Sequence, residues 1–564
     1  PACGLNSTAY TAEVTFSVDK GCEDKVHKEF PAVIFRARAY SLEDGKRAVS
    51  LFLENAQDGK DAGDEAWLFQ VEMSVAETSG RACFVNQRLH HSADDADPMT
   101  RQQEDHLKLL FRKEVEFAIG HGTACDWRVD SLDARRANAI WTDPMPAYEV
   151  RKSTTVPIPG AEARMEVLGK ATKEELRSML SPLIKQYADW IEAEAAKIDD
   201  PAELIETRRD KEAAVRAVEG CRSALATLEE GIELVCTDQV AHEAFGFANR
   251  VMHLQRLRGL YASLKRQDEK STLKFEEFSL KEPPSWRMFQ LAFILSSLPS
   301  LTQLDHSERV DSGDPLVGPT AELLWFPTGG GKTEAYLGLT AYTLAMRRLQ
   351  GSVEGYDGEY GVAVLMRYTL RLLTLQQFQR ATTLICACEA ERRSDSEKWG
   401  KTPFRIGLWV GNASTPNTIK QATDLLEAER GNKGAGGKGT LKQITSCPWC
   451  GSKIELGRDV EVDRDRGRVI FYCGDGKGRC EFGRAKSKGE GVPIVVVDEQ
   501  LYRVLPSLVI ATVDKFAQMP WNGQVGALFG KVDRYCPRHG FLCPASDHDS
   551  DNHRAINGLP AVAV

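Results

Sequence analysis

Gly329, Gly330 and Gly331 stand directly before Lys332, Thr333 and Glu334. Consecutive glycines let backbone N–H groups curl round an anion with no Cβ in the way, and a helix beginning there adds its partial positive charge. In such a loop a lysine reaches the β and γ phosphates of a nucleotide, and a threonine hydroxyl sits on Mg²⁺. The flanking sequence agrees. Leu323 to Phe326 is an apolar run suited to a buried parallel strand, Pro327 breaks it, and Ala335 to Leu349 is apolar-rich and helical. The complete phosphate-loop pattern has glycine at its first position, where this chain has Phe326. The match therefore rests on Gly331-Lys332-Thr333 and on the order strand, loop, helix. The residues expected around ATP are Thr328, Gly329, Gly330, Gly331, Lys332, Thr333 and Glu334, with Thr333 as the Mg²⁺ ligand. Some 42 residues before Lys332, Trp286-Arg-Met-Phe-Gln290 opens another apolar helix. From there Gln290 is placed to read an adenine edge with two hydrogen bonds, the alternative being an ordinary amphipathic helix.

Thiols form a second constellation. Of 14 cysteines, Cys447, Cys450, Cys473, Cys480, Cys536 and Cys543 fall in the last fifth of the chain, a clustering that points to metal rather than disulfides. Cys447-Pro-Trp-Cys450-Gly is a knuckle turn, and Cys473 and Cys480 supply a second pair after a short hairpin. Four thiolates close a tetrahedral Zn²⁺ site that folds a segment with no core of its own. The second pair departs from the usual ribbon, being separated by six residues rather than two. Cys536, His539 and Cys543, with His548 and His553 beyond, read either as another site or as unpaired thiols. His90 and His91 lie in a polar stretch without ligand spacing and read as a solvated loop. Cys3, Cys22, Cys83, Cys125, Cys221, Cys236, Cys386 and Cys388 are scattered and read as inert core thiols.

The elements that must position these residues belong to several domains, since 564 residues exceed one core. Composition is that of an ordinary globular chain, with 42% hydrophobic and 27% charged residues. No run of about 18 apolar residues argues for a membrane span, and Pro1 is not followed by a basic-then-apolar leader, so a cytosolic setting is expected. A net charge of -9 confines any nucleic-acid binding to a local basic channel. Residues 1–170 alternate like strands, at Ala12–Val18, Pro31–Tyr40 and Ala66–Met73, and form the expected mainly-β N-terminal domain. At Thr172 the period changes: Thr172 and Glu175 make a capping box, and Leu176, Met179, Leu180 and Leu183 follow at helical spacing. A helical bundle or arm is expected over 171–280, kinked at Pro182. The third domain, 281–564, holds the phosphate loop and a zinc-binding insertion at about 440–505, entered through the glycine-rich Gly431–Gly439.

From Trp286 onward the chain resembles the first motor domain of a superfamily 2 helicase. Beside the phosphate loop, the resemblance is carried by the strand Val362–Met366 with Arg367-Tyr-Thr369-Leu-Arg371, by Phe404–Val410 with Gly411-Asn412-Ala-Ser-Thr-Pro416, and by Pro506–Phe516. It implies a multidomain α/β chain whose RecA-like parallel-sheet motor domain carries a zinc-ribbon insertion. It also implies DNA-backbone contacts from Arg367, Thr369, Arg371, Asn412, Thr512 and Lys515, which are sequence-independent and salt-sensitive. Such a motor needs a carboxylate to hold Mg²⁺ and another to orient the attacking water. Asp498-Glu499 ends the apolar run Val492–Val497, yet Thr512 follows only 14 residues later, which is expected to leave too little chain for a helix and a return strand. Asp498-Glu499 is therefore expected at the edge of the zinc insertion. The acidic box, with the second motor domain and its arginine finger, is expected beyond Val564.

Trp325–Leu339, Trp286–Leu295, Thr512–Phe516 and Arg534-Tyr-Cys-Pro-Arg-His-Gly540 are similar to the DrmA family, the helicase subunits of bacterial DISARM anti-phage defence systems. That resemblance implies an ATP-driven DNA helicase or translocase in the bacterial cytoplasm, using ATP, Mg²⁺ and Zn²⁺, with DNA and a DrmB subunit as partners and no membrane. Two other readings stay open: a nucleotide-gated DNA-binding clamp without processive unwinding, and a scaffold.

Overall fold

Two compact units divide the chain, Pro1–Arg151 and Lys152–Val564. A computed structural model describes residues 13–26, 32–42, 45–57, 66–86, 97–149, 155–268, 271–309, 319–324, 330–353, 355–368, 371–411, 413–431, 439–546, 556–557 and 561–562.

In the first unit β1 (Cys22–Val26), β2 (Val33–Ser41) and β3 (Arg47–Asn55) form an antiparallel sheet. Asp24 on β1 accepts from Arg36 at 2.8 Å and Arg38 at 2.6 Å on β2, a cross-strand charge pairing that favours this register. β4 (Ser74–Ala76), β5 (Phe84–Val85) and β6 (Ala124–Val129) each pair antiparallel with β7 (Arg136–Asp143). Between them lies α1 (Pro98–Leu110), capped by Asp97 with Pro98 in its first turn. Two expected strands are not formed by the described residues. Residues 13–17 join no ladder and lead into one 3₁₀ turn at Val18–Lys20, and Gln70, at φ 51°, breaks the extended run Ala66–Met73. Cys22 and Cys83 are exposed rather than core thiols.

The second unit opens with α2 (Met165–Leu168) and three long helices, α3 (Lys173–Ala196), α4 (Arg208–Thr237) and α5 (Gln239–Gln267). Thr172 and Glu175 form the expected capping box of α3, and Thr207 with Asp210 caps α4 in the same way. α3 continues through Pro182, where the Ser178 carbonyl that a proline cannot satisfy accepts the Ser181 hydroxyl at 3.4 Å. α6 (Met288–Thr302) and α7 (Lys332–Gln350) lie against these helices in one continuous apolar core. Among the described residues, no helix is long and apolar enough to cross a membrane.

After α7 come the short β8 (Ser352–Val353) and β9 (Tyr356–Asp357), then β10 (Val364–Tyr368), α8 (Arg371–Ser394), β11 (Ile406–Trp409) and α9 (Ile419–Arg430). The thiol-bearing segment contains α10 (Leu456–Asp459) and the hairpin of β12 (Val460–Asp463) and β13 (Arg468–Phe471). β14 (Ile494–Val495), α11 (Asp498–Val504), β15 (Leu508–Thr512) and α12 (Val513–Gln518) follow. The hairpin of β16 (Arg534–Cys536) and β17 (Gly540–Leu542), with β18 (Ile556–Asn557) and β19 (Ala561–Val562), completes the order. β10, β15, β11 and β14 form one parallel sheet in that order. Its inner strands are buried along their whole length, Leu508–Thr512 and Ile406–Trp409, as expected for strands covered on both faces.

This topology corrects one expectation. The seven residues of α11 are enough to carry the chain from β14 over β11 to β15, so 14 residues do accommodate a helix and a return strand. β14 thus belongs to the parallel sheet, and Asp498 stands at its end rather than at the edge of the cysteine segment. The expected strand at Leu323–Phe326 differs too. Leu323 is 84% exposed and Leu324 joins no ladder, while Trp325 and Phe326 lie outside the described residues. A strand needs a neighbour for its hydrogen bonds, and among the described residues nothing pairs with the outer edge of β10.

Close approach in the second unit depends on small residues. A Cβ on Gly338 of α7 would lie 2.8 Å from the Trp286 ring and 2.9 Å from Ile294. Gly338→Ala is therefore expected to cost about 1–3 kcal/mol by overpacking. A denaturant melt coinciding with that of the parent protein would show that Trp286 yields without cost.

Candidate phosphate loop and metal centre

Gly331 is the N-cap of α7, with φ 86° and ψ 34°, a left-handed conformation open to glycine without strain. Gly331 has no side chain to cap the helix, and among the described residues no side chain accepts from its first-turn N–H groups. The carbonyls just before it are held from α6: Arg287 Nη1 donates to Gly330 O at 2.9 Å, and Gln290 Nε2 donates to Gly331 O at 2.8 Å. Gln290 Oε1 in turn accepts from the Arg287 backbone N–H at 2.9 Å. Lys332, Thr333 and Glu334 then occupy the first helical turn, all half-buried. Lys332 has no hydrogen-bond or ion-pair partner among the described residues. Thr328 and Gly329 lie outside the described residues.

Gln290 does not stand free for an adenine edge. It is 4% exposed, and its amide joins the start of α6 to the glycine loop. Arg287 was a missed contributor, although its place three residues before Gln290 puts both on one side of the helix start. Arg380 was missed as well: it reaches across from α8 to ion-pair with Glu334, a contact visible only once the two helices meet.

The candidate DNA contacts divide. Arg367 is exposed near the end of β10, in register with Ala511 of β15. Thr512, in register with Tyr368, is 5% exposed. Lys515 corrects the expectation of a backbone contact: it is 7% exposed, and its ammonium is 2.5 Å from Asp498. Taking that ammonium to a phosphate would leave the Asp498 charge buried and alone, which is costly. Burial pushes the Asp498 carboxyl above its usual range, against the pull of Lys515. Glu499 is engaged elsewhere, accepting from the Ile419 N–H at 2.9 Å at the start of α9. Each acid thus has a partner among the described residues, Lys515 for Asp498 and the Ile419 N–H for Glu499. Arg371 begins α8, while Thr369 and Asn412 lie outside the described residues.

The four cysteines converge. Their sulfurs all lie within 4.8 Å of one another, with Cys450 to Cys473 at 3.3 Å and Cys447 to Cys480 at 3.9 Å. A tetrahedral zinc ion with bonds of about 2.3 Å places its sulfurs about 3.8 Å apart, so the residues fit the ion. Hydrogen bonds from Cys447 and the other two thiols hold the Cys450 thiol far below its usual range, whereas burial drives Cys447 far above. Metal binding takes such thiols as thiolates, and a dication would offset their mutual repulsion. Gly451, at φ 80°, closes the knuckle against α5, where a Cβ would meet Ala262 O at 2.7 Å. The wider second pair is explained by Asp475, whose carboxylate accepts from the N–H groups of Lys477, Arg479 and Cys480. That turn takes up the extra residues and returns Cys480 to Cys473. With four protein ligands the site has no open position for substrate, so a bound ion would serve structure.

Cys536, His539 and Cys543 join no metal-ligating group among the described residues. Cys536 accepts from the His539 N–H at 3.4 Å, and the Cys543 thiol lies 3.1 Å from the Ser546 hydroxyl. His548 and His553, like His90 and His91, lie outside the described residues.

Fold and site together define a mixed α/β multidomain protein in which a parallel sheet accompanies a glycine-started helix and a four-thiol cluster. No protein-family model matches the chain. It is 33% identical over 526 residues to the DISARM protein DrmA of Bacillus paralicheniformis, an alignment covering 90% of this chain and 43% of that protein. It is a DrmA-like chain, and it spans less than half the length of that relative.

Two outcomes follow from this geometry. Cys450→Ser is expected to abolish stoichiometric zinc, read by metal analysis of the purified chain, while leaving nucleotide affinity unchanged; joint loss of both would contradict a separate metal centre. Lys515→Met alone leaves Asp498 buried without its partner and is expected to cost about 3–5 kcal/mol, more than the double change Asp498→Leu with Lys515→Met. Urea unfolding of the two variants decides between them, and equal stabilities would refute the pairing argument.

Proposed function

We propose that this chain is the nucleotide-binding part of a motor in a bacterial DISARM-type defence complex, working as an ATP-dependent DNA helicase or translocase. In this reading the phosphate loop at Gly330, Gly331 and Lys332 binds ATP, and Thr333 holds Mg²⁺. The parallel sheet is the core of a RecA-like motor domain within 281–564, preceded by a mainly-β domain and a helical bundle. The partners are DNA and a DrmB-type subunit, and the setting is the bacterial cytoplasm.

The observation that carries the proposal is the start of α7. There an uncapped helix N-terminus follows a left-handed glycine and bears a half-buried lysine and threonine, while Arg287 and Gln290 hold the preceding carbonyls. Such an arrangement suits a polyphosphate. Similarity over 90% of the chain to a DISARM protein supports the defence setting. Zinc at the four cysteines would brace the module that adjoins α5 and α8. Exposed Arg367 is the described residue best placed to touch a DNA backbone.

The engagement of Asp498 with Lys515 and of Glu499 with Ile419 favours a second reading, in which ATP gates a DNA clamp without driving unwinding. Strand displacement with the full-length protein and its partner separates the two. Displacement that requires hydrolysable ATP supports the motor, and nucleotide-dependent DNA binding without displacement supports the clamp.

Lys332→Ala is expected to weaken ATP binding by about 1.5–3 kcal/mol, the worth of a charge-assisted contact, as measured by calorimetry. Unchanged affinity would remove the basis of the proposal. Arg367→Ala is expected to weaken DNA binding on all sequences alike and to lower the salt slope by about one phosphate contact. An unaltered slope would exclude Arg367 from the interface.

A further inference from the structure

Glu334 is the acidic residue of α7's first turn, two positions after Lys332. One of its carboxylate oxygens is ion-paired with Arg380 of α8, and the other lies 3.3 Å from where a Cβ on Gly331 would stand. The acid therefore folds back over the loop glycine. The carboxylate in this helix's own first turn thus holds a guanidinium beside the helix start. Both side chains keep contact with solvent, 27% exposed for Glu334 and 41% for Arg380, so the pair is able to open without uncovering core.

A second cation stands behind the first. Arg256 of α5 is exposed and close enough for its charge to act on Arg380, which burial and that neighbour together hold below the usual guanidinium range. The terminal phosphate of a nucleoside triphosphate carries more charge than a carboxylate, and its oxygens match the planar guanidinium fork. A diphosphate lacks that terminal phosphate.

We propose that Arg380 distinguishes nucleoside triphosphate from diphosphate: in the free chain it is parked on Glu334, and on binding it transfers to the terminal phosphate with Arg256 behind it. This rests on the reading of Lys332 and Thr333 as phosphate ligands. Arg380 would supply from within the same chain a cation directed at the terminal phosphate, and Glu334 would keep it oriented while the site is empty.

Calorimetric titration of the zinc-loaded chain with Mg²⁺–ADP and with a non-hydrolysable Mg²⁺–ATP analogue tests this. The parent protein is expected to bind the triphosphate more tightly. Arg380→Ala should lose about tenfold in triphosphate affinity, the scale of one charge-assisted hydrogen bond, and less than about twofold for ADP. Glu334→Gln should raise triphosphate affinity by releasing the arginine. Arg380→Lys keeps the charge and supplies the same readout should the alanine variant fold poorly; it should lose most of the discrimination, because a point charge lacks the fork. Equal weakening of both nucleotides, or no change in their ratio, overturns the inference while leaving the phosphate loop standing. A parent protein that binds neither nucleotide overturns the phosphate-loop reading, and the inference falls with it.

Discussion

The contact on which the second unit depends is the seating of Trp286 between α5 and α7. Its indole N–H donates to the Asn249 side chain at 2.8 Å, and Asn249 donates in turn to the Phe245 carbonyl one turn back along α5. Both residues are buried, so these polar groups must satisfy each other or carry the cost of desolvation. The ring edge fills the space left by the absent side chain of Gly338. One tryptophan therefore sets the distance of α7 from α5 and, through the adjoining start of α6, places Arg287 and Gln290 at the carbonyls of Gly330 and Gly331.

α8 links the remaining parts. Arg380 meets the loop helix in its middle, and near its C-terminal end Glu389, fully buried, accepts from Arg392 at 2.5 and 2.8 Å, from Arg393 at 3.0 Å and from the Phe404 N–H at 3.0 Å. A buried carboxylate is tolerable only when so completely paired, and these bonds tie the helix to the approach to β11. Arg393 also stacks over Phe482 at 5.0 Å, while Arg258 of α5 lies between the Phe275 and Trp449 rings at 3.4 and 4.2 Å. The four-cysteine module is thus joined to the helical core through cationic side chains on aromatic faces as well as through its own ligands.

The parallel sheet makes a different use of charge. Asp498 and Lys515 stand at the ends of β14 and β15, on either side of β11, where Trp409 places its ring 5.9 Å from the Lys515 ammonium and donates to Tyr502 at 3.0 Å. In such low-dielectric surroundings the pair is locked by mutual need. An acidic dipeptide after an apolar run looks from sequence like a metal-binding box; here one acid neutralises a lysine and the other caps a helix.

What was legible in the chain was local. The glycine run before Lys332, the Cys447 and Cys450 knuckle, the Thr172 capping box and the apolar runs of β11 and β15 each act over a few residues, where spacing alone dictates which groups meet. The strand expected at Leu323–Phe326 is absent from the described residues, the Ala66–Met73 run is broken at Gln70, and Lys515 faces inward. Each depended on a neighbour that composition does not announce. By itself the sequence determined the helix starts, the glycine loop with its cation, and the four thiols. Only the tertiary structure decided that Gln290 grips the loop, that Arg380 finds Glu334 across 46 residues of chain, and that Asp498 answers Lys515. Side-chain pairing between distant elements follows from packing and burial, which no local period encodes.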